Sequence, residues 1–446
     1  MTRKQAPRWH DTRWYRPPRE FLDDPLNFPL HKTQEIGEIF SFDFYLRRIF
    51  VITDLEAIRH ILQANHRSYR KSPAYGQLKL ALGEGLVTSE GVYWRRQRRI
   101  IQPVFRKSHL RALYALMQQE TQRYCTSLRY KSGQVLDLAQ EMMGLTASIA
   151  LRTLFSAQNP ADQAEMYRIM SEAQEWIMYR TTHPLIIPLA WLWPRHWHFR
   201  RDMQQMDQMV YSLIKARRRS DHYPNDLLSM LLQARDEATG AQMSDRQIRD
   251  EVLTLFAAGH ETSAVAMSWT LWLLARHPQV AARLDEELGR VLNGNMPKWE
   301  DLPRLQWTRQ VIEESMRLYP PAYAIGRQAV GEDCICGFHV PRKSIMFISI
   351  YAVHRHPRYY SHPSCFDPEH FAEAAVKTRP RLAYMPFGAG PRMCVGNHFA
   401  MLEMTLLLAT LWQYFRFEVV SDHPVVPHPL VTLKPKYGIR MRVQAR

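Results

Sequence analysis

The chain has 446 residues, 46% of them hydrophobic, enough to bury a large core, and no Gly/Ser- or Pro-rich linker or internal repeat divides it. Its 59 basic against 43 acidic residues leave a formal charge of +16, which favours acidic partners: a nucleic acid, an anionic membrane or an acidic protein. Basic runs interleaved with aromatics are absent, which sets nucleic acid aside, and the five cysteines form no disulfide framework, which points to a reducing, cytoplasmic setting.

In chain order, Met1 to Asp24 reads as an extended polar segment rich in Arg and Pro, with neither a signal-peptide core nor an apolar span of ~20 residues. Residues 35–53 alternate as a short hairpin, and from about 55 to 290 the period is mostly helical. Within that stretch Trp94 and Arg98 stand one turn apart on one face, while Arg95, Arg96 and Arg99 read as a solvated basic surface. Residues 183–199 carry Leu189, Trp191, Leu192, Trp193 and Trp197 beside Arg195, Arg200 and Arg201. Peripheral membrane contact and packing over a substrate channel both fit, the second being favoured, and Pro184, Pro188 and Pro194 exclude a continuous amphipathic helix. Lys215, Arg217, Arg218 and Arg219 read as the solvated end of a helix.

Ser244 with Gln247 is a capping box opening a helix of roughly 32 residues, about 48 Å long, that should run to His277-Pro278. At its middle lies Ala258-Gly259-His260-Glu261-Thr262. Gly259 weakens the helix there, and the Thr262 hydroxyl can bond back to the carbonyl four residues earlier. A zinc-protease reading of His260-Glu261 needs a histidine at 264, where the chain has alanine, so it fails. Glu314 and Arg317, spaced i, i+3 on a helix halted by Pro320-Pro321, can form a buried ion pair. Residues 322–351 return to strand-like alternation, with Cys334-Ile335-Cys336 read as strand or turn, and small strands close the chain after Glu418.

The most informative stretch is Phe387-Gly388-Ala389-Gly390-Pro391-Arg392-Met393-Cys394-Val395-Gly396, ahead of a helix expected from about His398 to Tyr414. Gly388 and Gly390 permit tight turns and close approach to a flat ligand. Amide dipoles of the helix and the charge of Arg392 would stabilise a Cys394 thiolate, a good soft ligand for iron. The bland alternative is a buried structural cysteine in a Gly-rich turn, the commoner fate of a lone cysteine. Against it, the spacing F-G-x-G-x-R-x-C-x-G resembles, at every fixed position, the haem-binding loop of the cytochrome P-450 family, and Ala400 and Glu403 fit its continuation.

That resemblance spans essentially the whole chain. It implies a mainly α fold with small β sheets, the cytochrome P-450 fold, as a single triangular-prism-like domain over residues 1–446. It implies heme b (iron protoporphyrin IX) with Cys394 as its metal ligand and Phe387, Gly388, Arg392 and Gly396 in the surrounding loop. Trp94 and Arg98 match the pair that holds one propionate, and Arg327 the arginine for the second. Ala258 to Thr262 resembles the distal-helix motif, implying catalytic roles for Thr262, which would hold the distal atom of dioxygen, and Glu261, which would feed a proton relay. Glu314 and Arg317 match the structural E-x-x-R pair, but His370 stands where the family has an arginine in P-E-R-F, which leaves the third partner open. Weaker candidates for an apolar substrate wall are Tyr75, Phe256, Ala257, Ala258, Ala322, Ala324, Ile325 and Val431.

The function implied is a monooxygenase that inserts one atom of dioxygen into a hydrophobic, lipid-like or terpenoid molecule. With no flavin- or nicotinamide-binding module after the haem region, electrons are expected from a ferredoxin or flavodoxin-like partner with its reductase. A peroxide-driven peroxygenase shares the fold but has less need of the Glu261–Thr262 pair. A non-catalytic haem sensor or electron carrier is the rival from another class, and stoichiometric haem would exclude a nucleic-acid binder.

Overall fold

Ser244 and Gln247 close the expected capping box: the Ser244 hydroxyl accepts from the Gln247 amide at 3.3 Å, and the Gln247 side chain accepts from the Ser244 amide at 2.8 Å. The helix Asp245–Arg276 then runs 32 residues and ends at His277, where Pro278 starts the next helix. The computed structural model describes residues 4–9, 19–44, 47–156, 160–220, 223–224, 226–236 and 239–446. Most of the N-terminal segment, including Pro17-Pro18, lies outside the described residues. Where it is described, Lys4 and Arg8 bridge to Phe338 and Ser41, and Arg19–Asp23 is a short helix rather than extended chain.

Two compact units are present, one formed by Met1–Gly76 with Glu313–Cys394 and the other by Gln77–Ile312 with Val395–Arg446. The first holds a five-stranded sheet in the order Ile39–Phe44, Arg47–Ile52, Ile345–Ser349, Ala324–Ala329, Tyr69–Lys71. The expected hairpin supplies its first two strands, pairing Phe40 with Val51 and Phe42 with Ile49. One hairpin face packs on Phe28 while Ile39, Phe50 and Ile52 join Ile58, Met346 and Ile348 on the other. Both faces are therefore apolar, and this is why the strand pattern alternates only weakly.

In the second unit the long helix packs most extensively against Leu138–Phe155 and also against Asn397–Tyr414, the helix that follows the cysteine loop. Apolar residues on nearly every side of the long helix explain its depth. Tyr69–Lys71 and Val135–Asp137 are strands inside a stretch expected to be helical. Each is only three residues long and is held by a distant partner, Ala324–Ala329 or Arg440–Ala445, so tertiary pairing overrides the local period.

Two readings of basic side chains need correction. Arg217 is not solvated: its Nη1 donates to buried Asp226 at 2.6 Å and its Nη2 to the Phe155 carbonyl at 2.9 Å. Arg99 clamps buried Asp236 through bonds of 2.8 and 2.9 Å, with Arg96 Nε 3.4 Å from the same carboxylate. Both carboxylates lie beyond the helix that carries the arginines, so no local pattern announces them.

Glu403, on the inner face of Asn397–Tyr414, is buried, and desolvation pushes its carboxyl from the ordinary 4.5 up to about 8. The folded chain thus keeps a proton that the unfolded chain loses above about pH 4.5. Stability is expected to fall between those values as pH rises, by about 1.4 kcal/mol per pH unit. Glu403→Gln should remove that slope and unfold at higher temperature than the parent above pH 8, as thermal melts across the pH range would show.

Candidate functional site

In the first unit the cysteine loop is closed by a bond from the Cys394 amide to the Phe387 carbonyl at 2.9 Å, with Gly388 bonded to Met385 at 2.9 Å and Met393 to Gly390 at 3.0 Å. Gly388 and Gly390 take φ of +73° and +72°, the left-handed region glycine adopts without penalty. Gly390 has a second reason to be glycine: a Cβ there would lie 1.9 Å from the Leu62 carbonyl oxygen. The close approach expected toward a ligand is therefore, at Gly390, an approach to the protein's own backbone. Cys394 is exposed, Arg392 and Phe387 are half-buried, and Cys394 lies two residues before Gly396, the N-cap of the following helix. The N-cap Gly396 has no side chain to offer, and the Asn397 side chain accepts from the His398 amide at 2.8 Å.

Behind the loop, Glu314 and Arg317 form an ion pair with neither side chain exposed. Arg317 Nε and Nη2 bind the two Glu314 oxygens at 2.7 and 2.8 Å. Its remaining donors reach the carbonyls of His354 at 2.9 Å, Pro363 at 2.7 Å and Cys365 at 2.9 Å. All five guanidinium N–H groups are thus used, where a lysine would offer three. The open third position is filled by His370, whose Nδ1 lies 3.1 Å from Glu314 Oε1 and whose Nε2 lies 2.8 Å from the Ser361 carbonyl. Both neighbours are acceptors, so the ring N–H can serve either of them, where an arginine would reach both with separate donors.

His354 carries this network to the cysteine loop. Its Nε2 accepts from the Met385 amide at 2.9 Å, two residues before Phe387. Burial and the adjacent Arg317 hold its imidazole down to about 3, so it stays neutral and keeps the acceptor nitrogen. Tyr384 stacks on His354 with centroids 5.3 Å apart and donates its hydroxyl to the Glu313 carbonyl at 3.0 Å.

Arg327 lies in the strand Ala324–Ala329, fourth in the five-stranded sheet, and is buried. Its Nη1 donates to the neighbouring Gly326 carbonyl at 2.9 Å, and no carboxylate pairs with it among the described residues. A buried guanidinium without a counter-ion is costly, and an anionic group would relieve it. On the same strand, the Ile325 side chain lies 3.6 Å from the Cβ position of Gly388. Tyr75, Ala324 and Ile325 are half-buried and Ala322 is exposed.

In the second unit, Ala258 is exposed and Ala257, Gly259 and Thr262 are half-buried, in the middle of a helix otherwise buried along both flanks. The exposed positions there carry small residues. Thr262 Oγ1 donates to the Ala258 carbonyl at 2.6 Å, the expected back-bond, which leaves its oxygen lone pairs free to accept. Phe256 is not among these exposed positions: it is fully buried, stacked on His260 at 4.5 Å. His260 bonds the Phe256 carbonyl through Nδ1 at 2.8 Å, and desolvation lowers its basicity, so it is a neutral core residue.

Glu261 turns into the protein, and three residues missed in the sequence hold it. Thr432 Oγ1 donates to Oε1 at 2.5 Å, Lys434 Nζ sits 3.1 Å from the same oxygen, and Gln174 Nε2 donates to Oε2. Lys434 also donates to Gln174 Oε1 at 3.2 Å, closing a ring of three side chains. Gln174 comes from the helix Pro160–Thr182 and Lys434 from the C-terminal strand pair, with half-buried Val431 preceding Thr432. Nothing in the local spacing signals partners this far away along the chain. Trp94 is buried and Arg98 half-buried on the helix Gly91–Ile101, as their shared face requires.

The family model for cytochrome P-450 matches residues 20–441. Pentalenene oxygenase of Streptomyces avermitilis is 34% identical over 96% of this chain and 94% of its own length. Cyclooctat-9-en-7-ol 5-monooxygenase of Streptomyces melanosporofaciens is 33% identical over 92% of this chain and 87% of its own. Among solved structures, the haem domain of cytochrome P450DA superposes with a TM-score of 0.90 at 26% identity, covering 99% of this chain and 98% of that one.

Arg317→Ala would strand a buried carboxylate and three carbonyls, and should cost about 3–5 kcal/mol or abolish folding. His370→Ala removes one neutralising donor and one carbonyl partner and should cost about 1–3 kcal/mol. Denaturant titration of both variants checks the order.

Proposed function

Because this chain belongs to the cytochrome P-450 family, a family of monooxygenases, we propose that it is a haem-thiolate enzyme acting on a hydrophobic organic molecule, with electrons from a separate protein. The observation that carries this reading is the exposed Cys394 on a loop closed by its own amide and braced through His354 and Arg317. The proposed cofactor is heme b, with Cys394 on the iron, Arg327 answering one propionate, and Trp94 and Arg98 the other. Each unit offers chemistry that supports this reading: the first an exposed soft thiol and a buried guanidinium lacking a carboxylate, the second small residues exposed on the long helix. Bound there, the group supplies dioxygen activation, and a thiolate ligand favours O–O cleavage.

The chain's own residues then govern binding and protons. Thr262, its hydroxyl hydrogen engaged by the Ala258 carbonyl, presents lone pairs that can accept a hydrogen bond from a protonated guest. Glu261 is the nearest acid along the helix, but it is held by Thr432, Gln174 and Lys434. Delivery of a proton from Glu261 toward Thr262 therefore requires release from that ring. Lys434 is 22% exposed and Gln174 is half-buried, so water can reach the ring at these two members and bring a proton to it there.

Ala322, Ala324 and Ile325 in the first unit, and Ala257, Ala258 and Val431 in the second, are apolar side chains for such a substrate, whereas Phe256 is buried in the core. The relatives' names specify an alkene and an unsaturated alcohol, and a weakly polar substrate of that kind suits such side chains.

Thr262→Ala is expected to bind substrate normally and to divert most reducing equivalents into hydrogen peroxide or water. Product formed per nicotinamide cofactor oxidised is the measurement, and an unchanged ratio would remove Thr262 from proton control. Reduced wild-type protein with carbon monoxide should show the red-shifted thiolate band, which Cys394→Ala should lose.

The charge of +16 supports an acidic ferredoxin or flavodoxin-like donor. Arg95 is exposed and suits a docking role, whereas Arg96 and Arg99 are committed to Asp236. The rate of first-electron transfer should fall as salt shortens the screening length below about 8 Å. Arg95→Glu should slow it several-fold at low salt, with little effect at high salt, by stopped-flow reduction.

A further inference from the structure

Leu189, Trp191, Leu192, Trp193 and Trp197 face solvent, so residues 183–199 do not pack over a channel as expected. The polar chemistry lies deeper, at the end of the helix Pro160–Thr182. Arg180 there is only 7% exposed. Its Nε donates to Gln77 Oε1 at 2.9 Å, and no aspartate or glutamate lies within ion-pair distance of it among the described residues. Burial holds the guanidinium below its ordinary proton affinity, with no neighbouring acid opposing the shift. Arginine nevertheless keeps its proton, so a full positive charge is buried here without a counter-ion.

Two more donors stand beside it. Trp176, one turn earlier on the same helix face, is 1% exposed, and Arg180 lies 5.9 Å from its ring centre, the outer limit of a cation–π contact. Its indole N–H has no partner among the described residues. His196, on the helix Pro194–Arg219, has its ring centre 6.5 Å from that of Trp176 and a buried Nδ1 that is likewise without a partner among the described residues. Burial, and then the charges of Arg180 and Arg200, lower its basicity, so the ring is neutral at pH 7 and can carry its proton on Nδ1. Buried donors in folded proteins are nearly always satisfied. Water would meet the N–H groups here, but it would leave the charge unanswered. Only an anion answers both.

We propose that Arg180, Trp176 and His196 form a binding site for the carboxylate of a small organic acid. With Nε engaged by Gln77, the two Nη groups of Arg180 leave a planar fork that matches a carboxylate. One buried cation balances a monoanion, whereas a phosphate dianion would bring a second charge into the interior unmatched. The Trp176 ring, extended by Tyr179 stacked on it at 5.9 Å, offers apolar surface for the body of the acid. Gln77 and His196 are half-buried and mark the side open to solvent. All four residues belong to the second unit and none is assigned to the haem, so the site stands whether or not the haem reading does. Its occupant is the molecule oxidised at the haem or a separate small acid. The two share this chemistry, and the test tells them apart.

The test is equilibrium dialysis of the full-length holoprotein against radiolabelled acetate and benzoate, with benzamide as a neutral probe of the same shape as benzoate. Expected is saturable binding of a carboxylate, with benzamide weaker than benzoate by at least about tenfold. Arg180→Met should weaken carboxylate binding by at least about tenfold. Relieved of an uncompensated charge, that variant should also melt at or above the parent's midpoint when no carboxylate is present. Trp176→Phe, which keeps the ring and removes the N–H, should weaken binding about threefold to tenfold. A shift of the haem band that saturates with benzoate occupancy assigns the carboxylate to the molecule oxidised at the haem, and occupancy without a shift assigns it to a separate acid. No saturable binding of acetate or benzoate by the parent overturns the proposal, as does benzamide binding as tightly as benzoate. So does Arg180→Met that binds both acids as the parent does, or that melts well below the parent in their absence, since a purely structural arginine predicts that loss.

Discussion

One guanidinium organises the unit that carries the cysteine. Arg317 spends five N–H donors on five acceptors, two on Glu314 and three on carbonyls from residues 354, 363 and 365. Those carbonyls belong to irregular chain that has no sheet or helix to satisfy it, so the arginine serves there as the missing secondary structure. An ion pair this deep is weak evidence for stability, because desolvation opposes it. What it supplies is position. The same residue fixes His354, His354 holds the Met385 amide, and the loop from Phe387 to Cys394 starts two residues later. A soft thiolate is useful only where the backbone cannot wander, and this chain of bonds provides that constraint.

His370 fits the logic of that network. Where a guanidinium could reach both Glu314 and a carbonyl, an imidazole spans Glu314 Oε1 and the Ser361 oxygen, and Arg379 closes behind it with a 2.7 Å bond to the His370 carbonyl. Arg379 and Arg317 both lie over Tyr360, at 4.7 and 4.8 Å from its ring centre. The substitution is accommodated because the imidazole places a ring nitrogen against each of the two fixed acceptors, Glu314 Oε1 and the Ser361 oxygen.

What could be read in the sequence divides by distance along the chain. The capping box, the 32-residue helix, the Thr262 back-bond and the 39–52 hairpin are local, and each followed from spacing over a few residues. The Glu314–Arg317 pair is local as well, but its three carbonyl partners are not. Glu261 was recognisable by its neighbours in the motif, whereas Gln174 lies 87 residues before it and Thr432 lies 171 residues after it. Gly390 was expected to make room for a ligand, and the Leu62 carbonyl that actually forbids a side chain sits in a π-helical turn no pattern indicated. Phe256 was placed on the wrong side of its helix because a step of one residue, about 100° of rotation, separates it from half-buried Ala257, and the apolar stripe here goes nearly all the way round.

The formal charge shows how far a composition can mislead about a surface. Several arginines are matched by carboxylates that cancel them in the count: Arg96 and Arg99 share Asp236, Arg217 meets Asp226, Arg249 meets Asp207 and Asp250, and Arg317 meets Glu314. Such pairs are close to neutral at a distance and contribute little to long-range attraction. The field that a partner feels must therefore come from cations that are exposed, such as Arg95 on one helix and Arg200 with Arg201 on another. These are separate places with different neighbours, the second beside five exposed apolar side chains and the first not. A uniform basic surface would attract any polyanion, whereas exposed cations set among different neighbours select a partner by the company each charge keeps.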